Sequence, residues 1–355
     1  MNKQIVAQIF FFLFFTTQFF SQNIANAAEQ RSIKVGYIGS LSGFAATYGT
    51  AVLRGVELGI DELKSKNINL QLYIEDDASA NKQTVTAYHY LVDVKKVDVI
   101  IAGTWWINDV ISLSKRDNIP ILSCETMFND DAVLSSNYYL LGGDLRDWIN
   151  TYSDLVKEKD FKRAAVIHFI SGFGFTIKRE VQNLFSGNGK KFLGSIEYTD
   201  PNVEDVNTIV LKLKQIKPEV VYIDGQPNGL AKILKKMKEM KIENITVFTN
   251  SIAEDMLKQN LISRESLPKL YFTKRASYST EFINKFQSKY GIEPFLNADL
   301  GYYSTQIIAE SLITTAKQGS FDIKNNLNID ALTFKFDSNN VFRGISQRII
   351  TITKK

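Results

Sequence analysis

Two histidines and one cysteine are the side chains best suited to catalysis or metal binding in this chain of 355 residues. His89 falls in a helical pattern, His168 ends a predicted strand, and Cys124 has no histidine or basic residue close to it in sequence. Recognisable motifs for nucleophilic catalysis and metal binding include HExxH, GxSxG and paired cysteines, and the sequence contains none of these patterns. We therefore expect no enzymatic activity, no cofactor and no metal site.

Two adjacent tryptophans, Trp105 and Trp106, are the most distinctive candidates for ligand contact. They follow an apolar run at residues 97–102 that is typical of a buried strand. A tryptophan at the end of a strand can stack on an aromatic, cationic or amide-like ligand, while its neighbour packs behind it. The alternative is that both rings simply fill the core, as large aromatic side chains often do.

The elements that must position these side chains alternate between strand and helix patterns. Strands are predicted at residues 33–38, 70–74, 97–102, 119–122, 164–168, 194–198, 220–223 and 246–248. Between them, apolar residues recur at helical spacing, as in a helix over residues 47–66. Repeated β-α units predict an α/β fold of doubly wound parallel sheets with helices on both faces. Ligands of such sheets bind beyond the C-terminal ends of the strands, where the two tryptophans lie.

The alternation occurs in two blocks, the first ending near Gly143 and the second beginning near Phe161. The length suits two lobes of about 150 residues each. A long helix is expected over residues 300–317, and residues 334–352 are predicted to form a hairpin with its turn at residues 337–340.

The N-terminal segment has the pattern of a secretory signal peptide. Lys3 precedes an apolar run at residues 9–20, and Ala25 and Ala27 are small residues at the spacing of a cleavage site. The run is shorter than the ~20 residues that cross a bilayer. We expect residues 1–27 to be removed on export to the periplasm; a buried strand or an uncleaved anchor is the alternative.

Charge and cysteine content limit the possible partners and crosslinks. Lysine and arginine total 42 against 38 acidic residues, and the basic residues are scattered along the chain. Nucleic-acid binding normally needs a clustered basic surface, so none is expected. A single cysteine cannot form an internal disulfide, so the fold depends on its apolar core.

Several segments together resemble the type I periplasmic binding proteins, in particular the leucine/isoleucine/valine-binding branch that serves ABC importers. The matching segments are Ile33–Gly43, Tyr48–Gly49, Arg54–Glu62, Asp76–Asp77, Gly172–Gly174, Phe286–Pro294 and Gly301–Tyr303. The resemblance runs from about residue 33 to the end of the chain.

This resemblance implies two lobes joined by three crossings, with a small solute held in a central cleft by hinge closure. Lobe 1 would hold residues 31–143 and 275–330, and lobe 2 residues 144–274 and 331–355. A monomer that delivers its solute to ABC transporter permease subunits is implied. A sensor that presents the solute to a receptor or regulatory partner is the alternative.

The resemblance also implies ligand contacts from Tyr48, from Ser123 or Thr126, from Phe173 and from Gln226. Tyr48 could instead pack at the start of its helix, because tyrosine is often a core residue. Ser123 and Thr126 could instead cap the following helix.

Two positions depart from the pattern of the amino-acid-binding relatives. After Gly103, where relatives often carry small hydroxyl residues that bind a carboxylate, this chain has Trp105 and Trp106. Asn250 and Ser251 lie where such relatives carry an acidic residue for the ligand's ammonium group. A buried ammonium needs a compensating charge, which Glu125 or Asp224 could supply. If neither carboxylate points inward, a neutral amide or urea-like compound, or an aromatic acid, becomes the better candidate ligand.

Overall fold

The computed structural model describes residues 33–125, 137–200, 202–275, 278–315, 326–329, 332–336, 340, 342 and 347–352. The predicted signal peptide and Thr126 lie outside these residues. The described chain divides into two compact units. Unit 1 comprises its residues up to Cys124, Ser135–Tyr139 and Thr280–Lys335, and unit 2 comprises Glu125–Leu134, Leu140–Ser279 and Phe336–Lys355.

The strands are β1 (Ile33–Gly39), β2 (Leu70–Asp76), β3 (Val99–Gly103), β4 (Ile121–Ser123), β5 (Tyr138–Leu140), β6 (Arg163–Phe169), β7 (Lys191–Tyr198), β8 (Val220–Ile223), β9 (Thr246–Thr249), β10 (Leu270–Arg275), β11 (Asn326–Ile329), β12 (Leu332–Lys335) and β13 (Gln347–Ile352). The α-helices are α1 (Ala46–Ser65), α2 (Asn81–His89), α3 (Asn108–Asp117), α4 (Leu145–Asn150), α5 (Ser153–Glu158), α6 (Gly172–Leu184), α7 (Val206–Ile216), α8 (Pro227–Glu239), α9 (Ile252–Lys258), α10 (Thr280–Tyr290) and α11 (Ala298–Thr315).

Unit 1 is built on a sheet with strand order β2-β1-β3-β4-β5. β1 pairs in parallel with both β2 and β3, and β3 pairs in parallel with β4. Val99–Gly103 is buried throughout, because helices cover both faces of the sheet. Helices α1 and α11 pack closely, since a side chain at Gly55 would collide with the carbonyl oxygen of Ala298.

Unit 2 is built on a sheet with strand order β13-β10-β9-β8-β6-β7. Neighbouring strands are parallel except β13, which runs antiparallel to β10. Alternate residues of β8 enter different cores: Val221 and Ile223 pack with one set of helices, and Val220 and Tyr222 with another. The predicted α/β fold with two doubly wound parallel sheets is confirmed.

The C-terminal segment differs from its prediction. The two arms expected to pair as one hairpin join different partners: β12 pairs with β11, and β13 pairs with β10. The described residues link the arms only by a single antiparallel bridge between Phe336 and Phe342. The predicted turn lies mostly outside the described residues. The sequence of this segment indicated two strands, but it did not determine which strands they would pair with.

Candidate functional site

The C-terminal edge of the unit 1 sheet is organised by the buried carboxylate of Asp77, which follows β2. The hydroxyl of Ser40 after β1 donates to Asp77 Oδ1 at 2.8 Å, and the hydroxyl of Thr104 after β3 donates to Oδ2. Thr84 Oγ1 also donates to Oδ2, at 3.1 Å, and the backbone amide of Ser79 donates to Oδ1, at 2.9 Å. One side chain therefore fixes the loops after three adjacent strands.

Above this edge lies an aromatic group made of Phe44, Tyr48, Trp105 and Phe295. The centroid of the Trp105 ring is 5.2 Å from that of Tyr48 and 5.9 Å from that of Phe44, and Tyr48 is 5.4 Å from Phe295. Tyr48 is buried, whereas Trp105 is 36% exposed and Phe44 is 40% exposed. The structure thus brings the predicted residues Tyr48 and Trp105 together and leaves aromatic surface available for stacking.

Trp106 and Ser123 lie on the same edge, with polar atoms that bond to nothing among the described residues. Trp106 is more buried than Trp105, and its backbone amide donates to Thr104 Oγ1 at 3.2 Å. Its indole Nε1 and the hydroxyl of Ser123 are both buried without a hydrogen-bond partner in the described chain. Buried polar groups are normally satisfied, so each is suited to a polar group of a small bound molecule.

The two residues after Ser123 are also buried. The Sγ of Cys124 lies 3.4 Å from the hydroxyl of Ser304 inside unit 1, as expected of a small core residue. Glu125 is 4% exposed. Its role as the partner of a ligand's cationic group stays a prediction.

In unit 2, Phe173 stands in the first turn of α6, which Ser171 caps by accepting a hydrogen bond from the amide of Gly174 at 3.0 Å. Phe173 packs against the core, and its ring meets Trp148 of α4 edge to face, with centroids 6.4 Å apart. The buried Nε1 of Trp148 has no hydrogen-bond partner within the described chain. Sequence reasoning missed Trp148, which is far from α6 in sequence.

Asp224 and Gln226 follow β8. Asp224 is buried, and burial raises the pKa of its carboxyl group to about 7, although the backbone amides of Gly225 and Phe169 hydrogen-bond to it. Gly225 has φ +153°, and a side chain there would collide with the hydroxyl of Tyr198. Gln226 is the N-cap residue of α8, but its side chain does not form the cap. Its amide remains available for a ligand.

Asn250 follows β9 and is buried. Its Oδ1 accepts a hydrogen bond from the amide of Ile252 at 3.0 Å, so the side chain fixes the first turn of α9. Asn250 precedes the N-cap residue Ser251, and an asparagine that accepts a hydrogen bond from the amide two residues on is a structural explanation for this residue type here. Its role as a ligand contact stays a prediction.

His168 ends β6 and is fully buried. Nδ1 lies 3.0 Å from the carbonyl oxygen of Phe169, and Nε2 lies 3.5 Å from Glu197. Burial lowers the pKa of the imidazole, so the neutral form predominates near pH 7. This environment is that of a packed structural histidine.

Within the described residues, no group of three or more histidine, cysteine or acidic side chains has the arrangement of a metal site. The helices of that part of the chain include none with the length and apolar character needed to cross a membrane.

Two doubly wound parallel units with polar and aromatic side chains at their strand ends define a class of solute-binding folds. The chain matches the periplasmic binding protein family over residues 32–327 and belongs to it. The resemblance to the leucine/isoleucine/valine-binding branch is confirmed by its relatives. The Leu/Ile/Val-binding protein of Citrobacter freundii is 24% identical over 278 residues, covering 74% of this chain and 73% of that protein.

Solved structures share the fold. The chain resembles the branched-chain amino acid transporter substrate binding protein LivJ from Streptococcus pneumoniae, in complex with isoleucine, with TM-score 0.70 and 17% identity over 90% of this chain and 100% of that one. It also resembles an ABC transporter solute binding protein from R. palustris, in complex with benzoate, with TM-score 0.76 and 16% identity over 91% and 94% of the two chains. At these identities the likeness describes the fold alone.

Proposed function

We propose that this protein is the extracytoplasmic solute-binding component of an ABC importer. It captures a small polar solute between its two lobes by hinge closure and delivers it to permease subunits. The observation that carries the proposal is the edge of unit 1, where an exposed aromatic surface and the buried polar atoms Trp106 Nε1 and Ser123 Oγ follow the neighbouring strands β3 and β4. That combination suits a ligand with a flat or apolar body and a polar head.

The solute class spans amino acids, amide or urea-like compounds, and small aromatic acids. Proteins of this fold have been crystallised with isoleucine and with benzoate. Trp105 favours a ligand with a planar part, and Glu125 or Asp224 is the proposed partner of a cationic group on the ligand.

A thermal-shift screen with isoleucine, benzoate, acetamide and urea tests the binding function. A true ligand at about a hundredfold above its Kd should stabilise the protein by about 2.7 kcal/mol, visible as a rise in Tm of several degrees. Small-angle scattering with that ligand should then show a smaller radius of gyration. If no stabilising ligand reduced the radius of gyration, that result would contradict hinge closure.

Export and permease delivery have separate tests. Mass spectrometry of protein recovered from the periplasm should give an N-terminus close to residue 28, and an intact segment from Met1 would contradict cleavage. Ligand-dependent stimulation of ATP hydrolysis by an ABC permease complex from the same organism would support delivery. Capture of a receptor instead of a permease would support the sensor alternative.

A further inference from the structure

A cavity lies entirely within unit 1, between the first turns of α1 and the loop that follows α10. It has a volume of about 500 Å³, within the range of small-molecule sites. Its lining on the α1 side is Ala46, Thr47, Thr50, Ala51 and Arg54, and on the opposite side Phe286, Ile292, Glu293 and Phe295. It borders the aromatic group through Phe295, whose ring packs against Tyr48.

The cationic part of this cavity is Arg54, which is held in place but forms no ion pair within the described chain. Its guanidinium carbon lies 5.7 Å from the ring centroid of Tyr290, and its carbonyl oxygen accepts a hydrogen bond from the Tyr290 hydroxyl at 2.8 Å. The nearby Glu57 is engaged with the same hydroxyl, at 3.3 Å. Arg54 can therefore offer its guanidinium to a carboxylate.

Thr47, Thr50 and Arg54 lie on one face of α1, since residues three, four and seven apart share a helix face. The hydroxyls of both threonines form no hydrogen bond with any other described residue. They extend the polar strip that leads to the guanidinium.

The anionic part is Glu293 on the other wall. Its Oε1 accepts a hydrogen bond from Gln287 Nε2 at 2.5 Å, and it forms no ion pair with the described residues. Between the two charges the walls are apolar: Phe286 is buried, and Ile292 is 47% exposed. A simple anion would meet Glu293, and a simple cation would meet Arg54.

We propose that this cavity binds a small zwitterion with an apolar side chain, an aliphatic or aromatic α-amino acid, independently of the interlobe site. The carboxylate lies against Arg54 and the threonine hydroxyls, the ammonium group lies against Glu293, and the side chain lies on Ile292 and Phe286. Each polar group of the lining then has a complementary partner.

The test follows the Ile292 δ1-methyl signal by NMR during titration of the purified protein with L-phenylalanine. Two probes lacking one charge serve as controls: 3-phenylpropionate without the ammonium group and phenethylamine without the carboxylate. We expect a saturable shift with L-phenylalanine and affinities about tenfold weaker for each control probe. Absence of a saturable shift at millimolar L-phenylalanine would overturn the proposal.

Variants identify the charges. Arg54→Gln should weaken the binding of L-phenylalanine about tenfold, so that it binds no more tightly than phenethylamine. In Glu293→Gln, L-phenylalanine should bind no more tightly than 3-phenylpropionate. Arg54→Lys keeps the charge and should retain most of the affinity, with an unchanged Tm as the check on folding. Equal affinity in all variants would rule out this site.

Repeating the titration with the Trp105→Ala variant distinguishes binding in this cavity from binding at the interlobe site. The dissociation constant read from the Ile292 shift should be unchanged in that variant, and ligand-induced compaction of the protein should persist in Arg54→Gln. A dissociation constant that rises about fivefold in Trp105→Ala and is unchanged in Arg54→Gln would assign the binding to the interlobe site and overturn the proposed one.

Discussion

At the scale of single residues, the buried carboxylate of Asp77 holds the loops at the C-terminal edge of the unit 1 sheet in place without a bound solute. Replacement of Asp77 by alanine removes the acceptor for the hydroxyls of Ser40, Thr84 and Thr104 in a buried environment. We expect the free energy of unfolding to fall by about 2–4 kcal/mol, because buried polar groups lose their partners. Urea denaturation followed by fluorescence measures it.

Asp93→Ala is the matched control, since Asp93 is 61% exposed and, among the described residues, forms an ion pair with His89 alone. Its effect should be within about 0.5 kcal/mol. A similar decrease in the free energy of unfolding in both variants would mean that the Asp77 network contributes no more to stability than an exposed ion pair.

Trp105 should contribute to solute affinity through its exposed ring. Trp105→Ala removes that stacking surface from the aromatic group and should weaken binding of the ligand found by thermal shift by about 1 kcal/mol or more, roughly fivefold. Isothermal titration calorimetry measures the change. Tyr90→Ala, which removes an aromatic side chain of similar exposure from another surface of unit 1, should leave affinity unchanged. Unchanged affinity in Trp105→Ala would remove Trp105 from the site.

The sequence was sufficient to place Tyr48 and Trp105 near a ligand edge, because parallel strands present their C-terminal ends together. The sequence was not sufficient to place Phe295 there. Its ring packs against that of Tyr48, although the two residues are about 250 positions apart in the sequence. Nor did the sequence indicate that Asn250 fixes a helix start, since asparagine after a strand is compatible with both capping and ligand contact.

At the scale of secondary-structure elements, α1, α10 and α11 are joined by an ionic cluster around Glu62. Its carboxylate lies 2.9 Å from Lys285 Nζ and 2.8 Å from Lys66 Nζ, and it accepts a hydrogen bond from the Tyr302 hydroxyl at 2.8 Å. Burial alone would raise the pKa of Glu62, but these donors outweigh it and lower the pKa from 4.5 to about 2.

The pH dependence of stability follows from this pKa. Because the pKa is lower in the folded state, Glu62 stabilises the protein above about pH 4.5, and this contribution is lost as the pH falls towards 2. Glu62→Gln should therefore cost about 1–2 kcal/mol at pH 7, after allowance for solvent screening, and almost nothing near pH 2. Urea unfolding at both pH values measures the difference.

Glu243→Gln in an exposed loop is the control and should show no such pH-dependent difference. A Glu62→Gln penalty that is equal at the two pH values would show that the side chain stabilises by packing and not by charge.

Elements were easier to predict than their partners. Val220–Ile223 was predicted as a strand from four apolar residues, because a strand buried on both faces has no polar alternation. The segment at β13 also has strand character, but an antiparallel edge strand can pair with any free edge. Its position beside β10 is a tertiary property that residues 347–352 do not contain by themselves.

At the scale of the whole molecule, the proposed function requires one solute to engage both units. Each unit has its own sheet and its own core, so ligand contact with one alone would stabilise only that one. Hydrogen exchange followed by mass spectrometry separates these cases, because it reports on the two units independently.

With the ligand at about a hundredfold above its Kd, amides in the loop at residues 103–108 of unit 1 and at residues 224–226 of unit 2 should both exchange more slowly. Exchange can slow by at most about a hundredfold, since binding adds about 2.7 kcal/mol to the free energy of opening. The exposed turn at residues 187–190 of unit 2, remote in sequence from both loops, should exchange at an unchanged rate and serves as the internal reference. Slower exchange in only one of the two loops would contradict capture between the lobes, because a solute enclosed by both must restrict the opening of both.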